Sequence, residues 1–380
     1  MTSGGFLNRF MPKPRLKFVD GLRGVAALVV AAGHVLGMVG PDRPVIPIWK
    51  ADALGLVLWP WTFGGPAVWL FIMLSGFTLY WTEESRRLGS RGATPFRVYW
   101  QRRFWRILPT YYAALAFGAV VVLGFGWMLL DPSPSLMTYE PVTLGGVLSH
   151  LFMVHNLDPA WRTQIVPPLW SIAVEMQLYL LFPLLFILRR KLTVYGVAAG
   201  LVLVSFALNQ VASFPVFELV EWFVVGAILA HVLRRRQVHA KVALVVALTA
   251  LAIGFARVPT LSGRIEQGVW LVAFAALIAW MFARGDRKNL LESKPALWLG
   301  ARSYSLYAVH FPVALLCWSL VGRLDLSRVE YIIGIAVFGM GVSLAAASAS
   351  YRWIEVPSLE KSRLVGGGKA SSAAPNSNTK

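Results

Sequence analysis

The sequence predicts an all-α polytopic integral membrane protein with about ten transmembrane helices and both termini cytoplasmic. Three observations carry that prediction. The 380 residues are 57% hydrophobic and only 14% charged, with mean hydropathy +0.61, too little charge to coat a soluble domain of this length. Apolar stretches of about twenty residues, the length that crosses a bilayer core, recur along the chain. The 36 Lys and Arg fall unevenly between those stretches, and such unevenness sets topology.

Spans are expected near 21–39, 63–81, 105–129, 168–188, 193–211, 214–233, 239–256, 267–283, 302–321 and 330–352. Placing the N-terminus in the cytoplasm puts 26 of the 36 basic residues on that side and seven on the other; Arg23, Arg302 and Arg352 fall in helix ends. An even number of spans with both termini inside satisfies this asymmetry. The net charge of +18 therefore reports orientation and anionic lipid, and no nucleic-acid partner is expected.

Residues 1–17 form a cytoplasmic N-terminal segment without a small-residue cleavage site. Residues 18–357 form one transmembrane domain, and 358–380 read as a disordered cytoplasmic tail rich in Gly, Ser, Ala and Asn. The longest outside connection, about 130–167, is Pro-rich and holds an apolar piece, 144–154, too short to span and read as re-entrant or interfacial. The single cysteine, Cys317, admits no disulfide within the chain.

The first span carries Arg23 and His34 in an otherwise apolar run. Eleven residues separate them, so the two side chains share a helix face, offset by about 20° and about 16 Å apart along the axis. Ionisable groups at membrane depth mark functional sites. Arg103 and Arg106 open the third span three residues apart, on one face, suited to fork onto phosphate oxygens or anionic lipid. Glu175 lies about two turns into the fourth span, at a depth expected to match His34, with Tyr179 on its face. A Glu–His acid/base pair would follow from that match. Asp20, Ser75, Trp170, Tyr179, Tyr307 and His310 are further candidates for the same cavity, although Ser75-Gly76 suits close helix packing and His310 equally suits a core role. No Gly-x-Ser-x-Gly elbow, Walker loop or metal-ligand cluster is visible, so no metal is assigned.

Seven motifs occur in order: Asp20-Gly-Leu-Arg-Gly, Arg23-x10-His34, Leu74-Ser-Gly-Phe, Arg103-x-x-Arg106 before Pro109, Leu169-Trp-Ser-x-x-x-Glu175, Ser303-Tyr-Ser-Leu-Tyr-x-x-His310 and Arg352-x-Ile-Glu355-x-Pro357. Together they resemble the acyltransferase-3 family of bacterial inner-membrane O-acyltransferases, over about residues 15–358. The family's Glu-Glu-Gln reads Glu175-Met176-Gln177 here, which leaves Glu175 as the carboxylate that matters. The resemblance implies an acyl-CoA donor, most commonly acetyl-CoA, at the cytoplasmic face and a glycan or lipid-linked sugar hydroxyl as acceptor. It also implies that any periplasmic transfer step belongs to a separate protein. On that reading Arg23, Arg103 and Arg106 hold the donor phosphates, His34 is general base or acyl relay, and Glu175 orients it. Two other functions fit ten spans with an interior polar path: a transporter or flippase of a lipid-linked glycan, and an acyl carrier without acceptor chemistry of its own.

Overall fold

The computed structural model describes residues 16–37, 59–88, 92–124, 141–188, 192–256, 263–285, 287 and 289–365. Among the described residues there is no strand, and apolar helices stand at all ten expected positions. They are α1 (Lys17–Gly37), α2 (Gly64–Leu88) and α3 (Phe96–Gly124), then a short α4 (Leu144–Leu151) in the outer connection. The series resumes with α5 (Pro167–Leu188), α6 (Val194–Val211), α7 (Pro215–Arg235), α8 (Ala240–Ala256), α9 (Arg264–Ala283), α10 (Lys294–Val321) and α11 (Val329–Leu364). Nine of the ten have 18 residues or more; α8, with 17, rises about 26 Å, the short end of what a bilayer core requires. The protein is a multi-pass membrane protein.

Small residues decide which helices touch. Gly76 of α2 meets the Phe223 carbonyl of α7, and Gly226 of α7 meets the Met73 carbonyl of α2. Any side chain at either glycine would collide with backbone, so the α2–α7 pair depends on both. Gly24 of α1 and Gly300 of α10 make a second such crossing, with Gly300 against the Asp20 carbonyl. With no hydrophobic drive between helices in lipid, backbone approach of this kind supplies much of the packing energy. The first crossing joins α2 to α7 and the second α1 to α10; α1 also packs on α2, and α5 packs on α2, α3 and α7.

Three boundaries differ most from expectation. Helix α3 starts at Phe96, nine residues before the expected 105, because its basic turns are helical rather than loop. Pro95 stands at the N-cap and Arg is a good helix former; hydropathy alone reads those turns as outside the span. Helix α10 starts at Lys294 rather than 302, capped by Ser293, whose hydroxyl accepts from the Ala296 N–H. Helix α11 runs to Leu364, into the stretch expected to be disordered. Hydrogen bonds to α3 hold that end: the Ser358 and Ser362 hydroxyls donate to the carbonyls of Trp105 and Arg102, and the Arg102 guanidinium donates to the Val365 carbonyl. The rest of the tail, 366–380, and residues 1–15 of the N-terminal segment lie outside the described residues.

The apolar piece of the outer connection is an eight-residue helix, α4, capped by Thr143, too short to span. The chain then turns through His155–Leu157 and Pro159–Arg162 back to α5. Gln177 of α5 pins this turn. Its amide exchanges two hydrogen bonds with Asn156, at 3.0 and 2.8 Å, and donates to the carbonyl of Met153 at 3.0 Å. Met153 has φ 55°, a left-handed conformation that costs a non-glycine residue energy, and this bond helps to hold it.

Candidate active site

A cavity of ≈ 810 Å³ opens at the end of the bundle where α3 begins and α11 ends. Six arginines line it: Arg23, Arg86, Arg102, Arg103, Arg106 and Arg363. Asp20 and Glu83 are its acidic lining residues, so the wall carries a clear excess of positive charge. Glu83 is engaged locally, accepting from the Thr94 N–H at 2.8 Å and the Thr94 hydroxyl at 2.7 Å. Arg103 lies over the rings of Tyr99 and Tyr179, 5.9 and 5.5 Å from their centroids, a cation–π seat that fixes the guanidinium plane. The Nε atoms of Arg103 and Arg86 are buried without a protein acceptor. Buried donors of this kind are normally paired.

Arg23, Arg106 and Tyr179 also line a second, smaller cavity deeper in the bundle, ≈ 40 Å³, whose lining includes Ser171, Tyr304 and Tyr307. Glu175 forms part of that inner wall. It accepts from the Ser75 hydroxyl and the Tyr179 hydroxyl, each at 2.5 Å, and lies 3.6 Å from Arg23. The Arg23 guanidinium donates to Ser75 Oγ at 3.1 Å. A second carboxylate, Glu355, is 4% exposed at the end of a π turn in α11 and accepts from the Ser305 hydroxyl at 2.6 Å. Arg106 is within electrostatic reach of both carboxylates. Arg23 and Arg106 therefore stand where the two cavities adjoin, with Glu175 against Arg23 and Glu355 within electrostatic reach of Arg106.

The imidazoles lie beyond. His34 Nδ1 and His310 Nε2 are 3.0 Å apart, and His310 Nδ1 is 3.0 Å from the Leu306 carbonyl. Phe311 packs edge-on against His34, and Tyr307 edge-on against His310. The Tyr307 hydroxyl, 2.5 Å from Ser171 Oγ, connects this pair to the inner cavity. His310 is fully buried, whereas His34 is only partly so and lines neither cavity.

The site thus gathers most of the residues expected from sequence, in a different arrangement. Glu175 stands at the depth of Arg23, about three helical turns from His34, and the partner of His34 is His310. The cause is where α5 begins. Pro167, Pro168 and Leu169, the first residues of α5, are buried, so the helix starts inside the bundle and Glu175, two turns on, lies deeper than hydropathy implies. Ser75 is a ligand of Glu175 while its neighbour Gly76 makes the helix contact, so this dipeptide does both jobs. Asp20 lines the basic cavity; Trp170 lines neither. Glu355 was visible in sequence only as part of the last motif, because a π turn rather than ordinary helical spacing turns it inward. Tyr304, whose hydroxyl donates to the Ile107 carbonyl at 2.9 Å, gave no separate signal. Among the described residues no group of three His, Cys, Asp or Glu is placed to hold a metal ion.

An all-α membrane bundle with a basic vestibule at one end, a small polar cavity beyond it and an imidazole pair next to that cavity has the makings of a membrane-embedded transferase. Comparison with known proteins gives the class: a family model described as an acyltransferase domain matches residues 16–348, and the chain belongs to that family, acyltransferase-3. It is 26% identical over 332 residues to the acyltransferase MdmB of Streptomyces mycarofaciens, covering 79% of each chain. It is 29% identical over 296 residues to the O-acetyltransferase OatA of Staphylococcus aureus, covering 69% of this chain and 47% of OatA. The chain thus matches about half the length of OatA. No solved structure matches. The protein is a membrane acyltransferase.

Proposed function

We propose that the chain takes an acyl group, acetyl in the first instance, from acyl-CoA at its basic end and transfers it to a hydroxyl of a cell-envelope or exported glycan. In this reading the membrane is the bacterial inner membrane, with the basic cavity and both termini on the cytoplasmic side, where acyl-CoA is made. One observation carries the donor assignment: the six-arginine cavity with buried, unpartnered Nε donors on Arg103 and Arg86. Guanidinium groups fork onto phosphate oxygens, and coenzyme A carries three phosphates on one end of a long, thin arm. Arg103, Arg106 and Arg23 would hold those phosphates, and the arm would pass between Arg23, Arg106 and Tyr179 into the inner cavity.

His34 is then the general base. It accepts the proton of the acceptor hydroxyl as that oxygen attacks the thioester carbonyl. The tetrahedral intermediate collapses with loss of the C–S bond, and the departing thiolate takes the proton back from the imidazolium. Glu175 acts through Arg23, holding that guanidinium in place, rather than through His34. The name of OatA supports an O-linked acyl product.

The test is binding of acetyl-CoA to purified protein in nanodiscs. Wild type and His34→Ala are expected to bind alike and Arg103→Ala to bind at least tenfold more weakly, a hydrogen bond to a charged group being worth about 1.5–3 kcal/mol. Absence of affinity for any acyl-CoA in the wild type would overturn the donor assignment and favour a glycan transporter.

A further inference from the structure

The pair His34–His310 contains more information than its distance. Only a protonated nitrogen can donate to a carbonyl, so the 3.0 Å contact between His310 Nδ1 and the Leu306 oxygen puts a hydrogen on that nitrogen. His310 is 0% exposed, and a second proton would bury a cation in the bundle, at high cost. Its Nε2 is therefore bare, with a lone pair aimed at His34 Nδ1, 3.0 Å away. That contact is a hydrogen bond only if His34 Nδ1 carries the hydrogen. A neutral imidazole has one such hydrogen, so His34 Nε2 is left with a free lone pair.

We infer that His310 is a positioning residue that holds His34 in the Nδ1–H tautomer and so presents Nε2 as the basic nitrogen. The inference rests on the reading of His34 as general base. On this assignment the chain of donors runs one way: His34 Nδ1–H to His310 Nε2, His310 Nδ1–H to the Leu306 carbonyl. It ends on a helix carbonyl, which is an acceptor only, so the order cannot reverse without breaking a bond. During transfer, when His34 becomes an imidazolium, its Nδ1–H keeps the same acceptor and the new proton resides on Nε2 alone. The ring planes are held as well, by Phe311 against His34 at 5.6 Å and Tyr307 against His310 at 5.9 Å between centroids. A carboxylate does this work in Ser-His-Asp triads; here the acceptor is a second, neutral imidazole.

Amide substitutions separate the two nitrogens of His310. Glutamine places its amide near the position of Nε2 and can accept from His34. Asparagine reaches only the Nδ1 position and can satisfy Leu306 but not His34. In nanodiscs with acetyl-CoA and acceptor, His310→Gln is expected to keep kcat within about tenfold of wild type. His310→Asn is expected to lose a hundredfold or more, within the span attributed to general-base catalysis, with the KM for donor unchanged in both. Equal kcat for the two variants would overturn the proposal. So would a loss confined to KM, or parallel losses tracking melting temperature.

The tautomer is read independently of activity from nitrogen-15 spectra of histidine-labelled wild-type protein, with the His34 signal assigned by its loss in His34→Ala. A protonated Nδ1 and bare Nε2 at neutral pH are expected; the opposite pattern overturns the proposal. Full activity of His34→Ala would instead overturn the general-base reading, and the ring spectrum would still decide the tautomer.

Discussion

Arg23 Nη2 and Glu175 Oε1 lie 3.6 Å apart, with the Ser75 hydroxyl 3.1 Å from the first and 2.5 Å from the second. Three helices, α1, α2 and α5, are tied at that point, and it lies where the basic cavity adjoins the inner one. Both charged side chains are 15% exposed, so each compensates the other at close range, with Arg106 also within electrostatic reach of Glu175. The ion pair is at once a structural knot and the place where a donor arm would enter.

Removing one partner strands the other. Arg23→Met or Glu175→Met is expected to destabilise the protein by about 3–5 kcal/mol, the usual cost of an uncompensated buried charge. The double variant Arg23→Met/Glu175→Met should recover most of that loss while remaining inactive. Thermal unfolding in one detergent checks this, and strictly additive losses would refute the coupling.

The helix crossings make a second prediction. Gly226→Ala puts a methyl against the Met73 carbonyl and Gly76→Ala one against the Phe223 carbonyl, so each should cost about 1–3 kcal/mol, as overpacking does. Gly268 in α9 has nothing within 4 Å of an added Cβ. Gly268→Ala should be neutral or stabilise by up to about 1 kcal/mol through helix propensity. Unfolding midpoints of the three variants decide, and equal shifts would show that the crossings are not tight.

Arginines of the basic cavity should differ in weight. Arg103 is half-buried between two tyrosine rings, whereas Arg363 is exposed on α11. Arg363→Ala should weaken acetyl-CoA binding by no more than about fivefold, since exposed ion pairs contribute at most about 1 kcal/mol. Calorimetric titration measures both arginines, and a larger effect at Arg363 would relocate the phosphate site toward the rim.

The outer connection should be acid-sensitive. His150 and His155 are both 0% exposed, with rings stacked 3.8 Å apart. Burial pulls both imidazoles below their ordinary 6.5, and burial together with the neighbouring His150 takes His155 to about 3. The unfolded connection therefore binds more protons than the folded one between about 6.5 and 3. Stability is full above that window and falls as pH drops through it. Proteolysis within the connection should rise as pH falls, and His155→Phe should flatten the profile. A rise in protection on acidification would contradict the assignment.

Much of this was legible in the sequence, and what was not has physical causes. All ten spans announced themselves because twenty apolar residues have few other uses. Arg23 and His34 could be placed on one face by helical spacing alone, and the shared face of Arg103 and Arg106 by the same argument. Depth was less accessible. It depends on how deep in the bundle a helix starts, and α5 starts at the buried Pro167-Pro168-Leu169, which puts Glu175 beside Arg23 rather than His34. Glu355 was hidden by a π turn, which no periodicity of 3.6 anticipates. The His34–His310 pair joins residues 276 apart in sequence, and the packing of α1 on α10, with Gly24 against Gly300, brings them together.

The most direct measurement is the rate of CoA release from acetyl-CoA in the presence of acceptor, wild type beside His34→Ala, in nanodiscs. The account predicts that His34→Ala folds, binds donor like the wild type and loses a factor of about 10²–10⁴ in kcat, the range for a general base. Turnover by His34→Ala at the wild-type rate would contradict it.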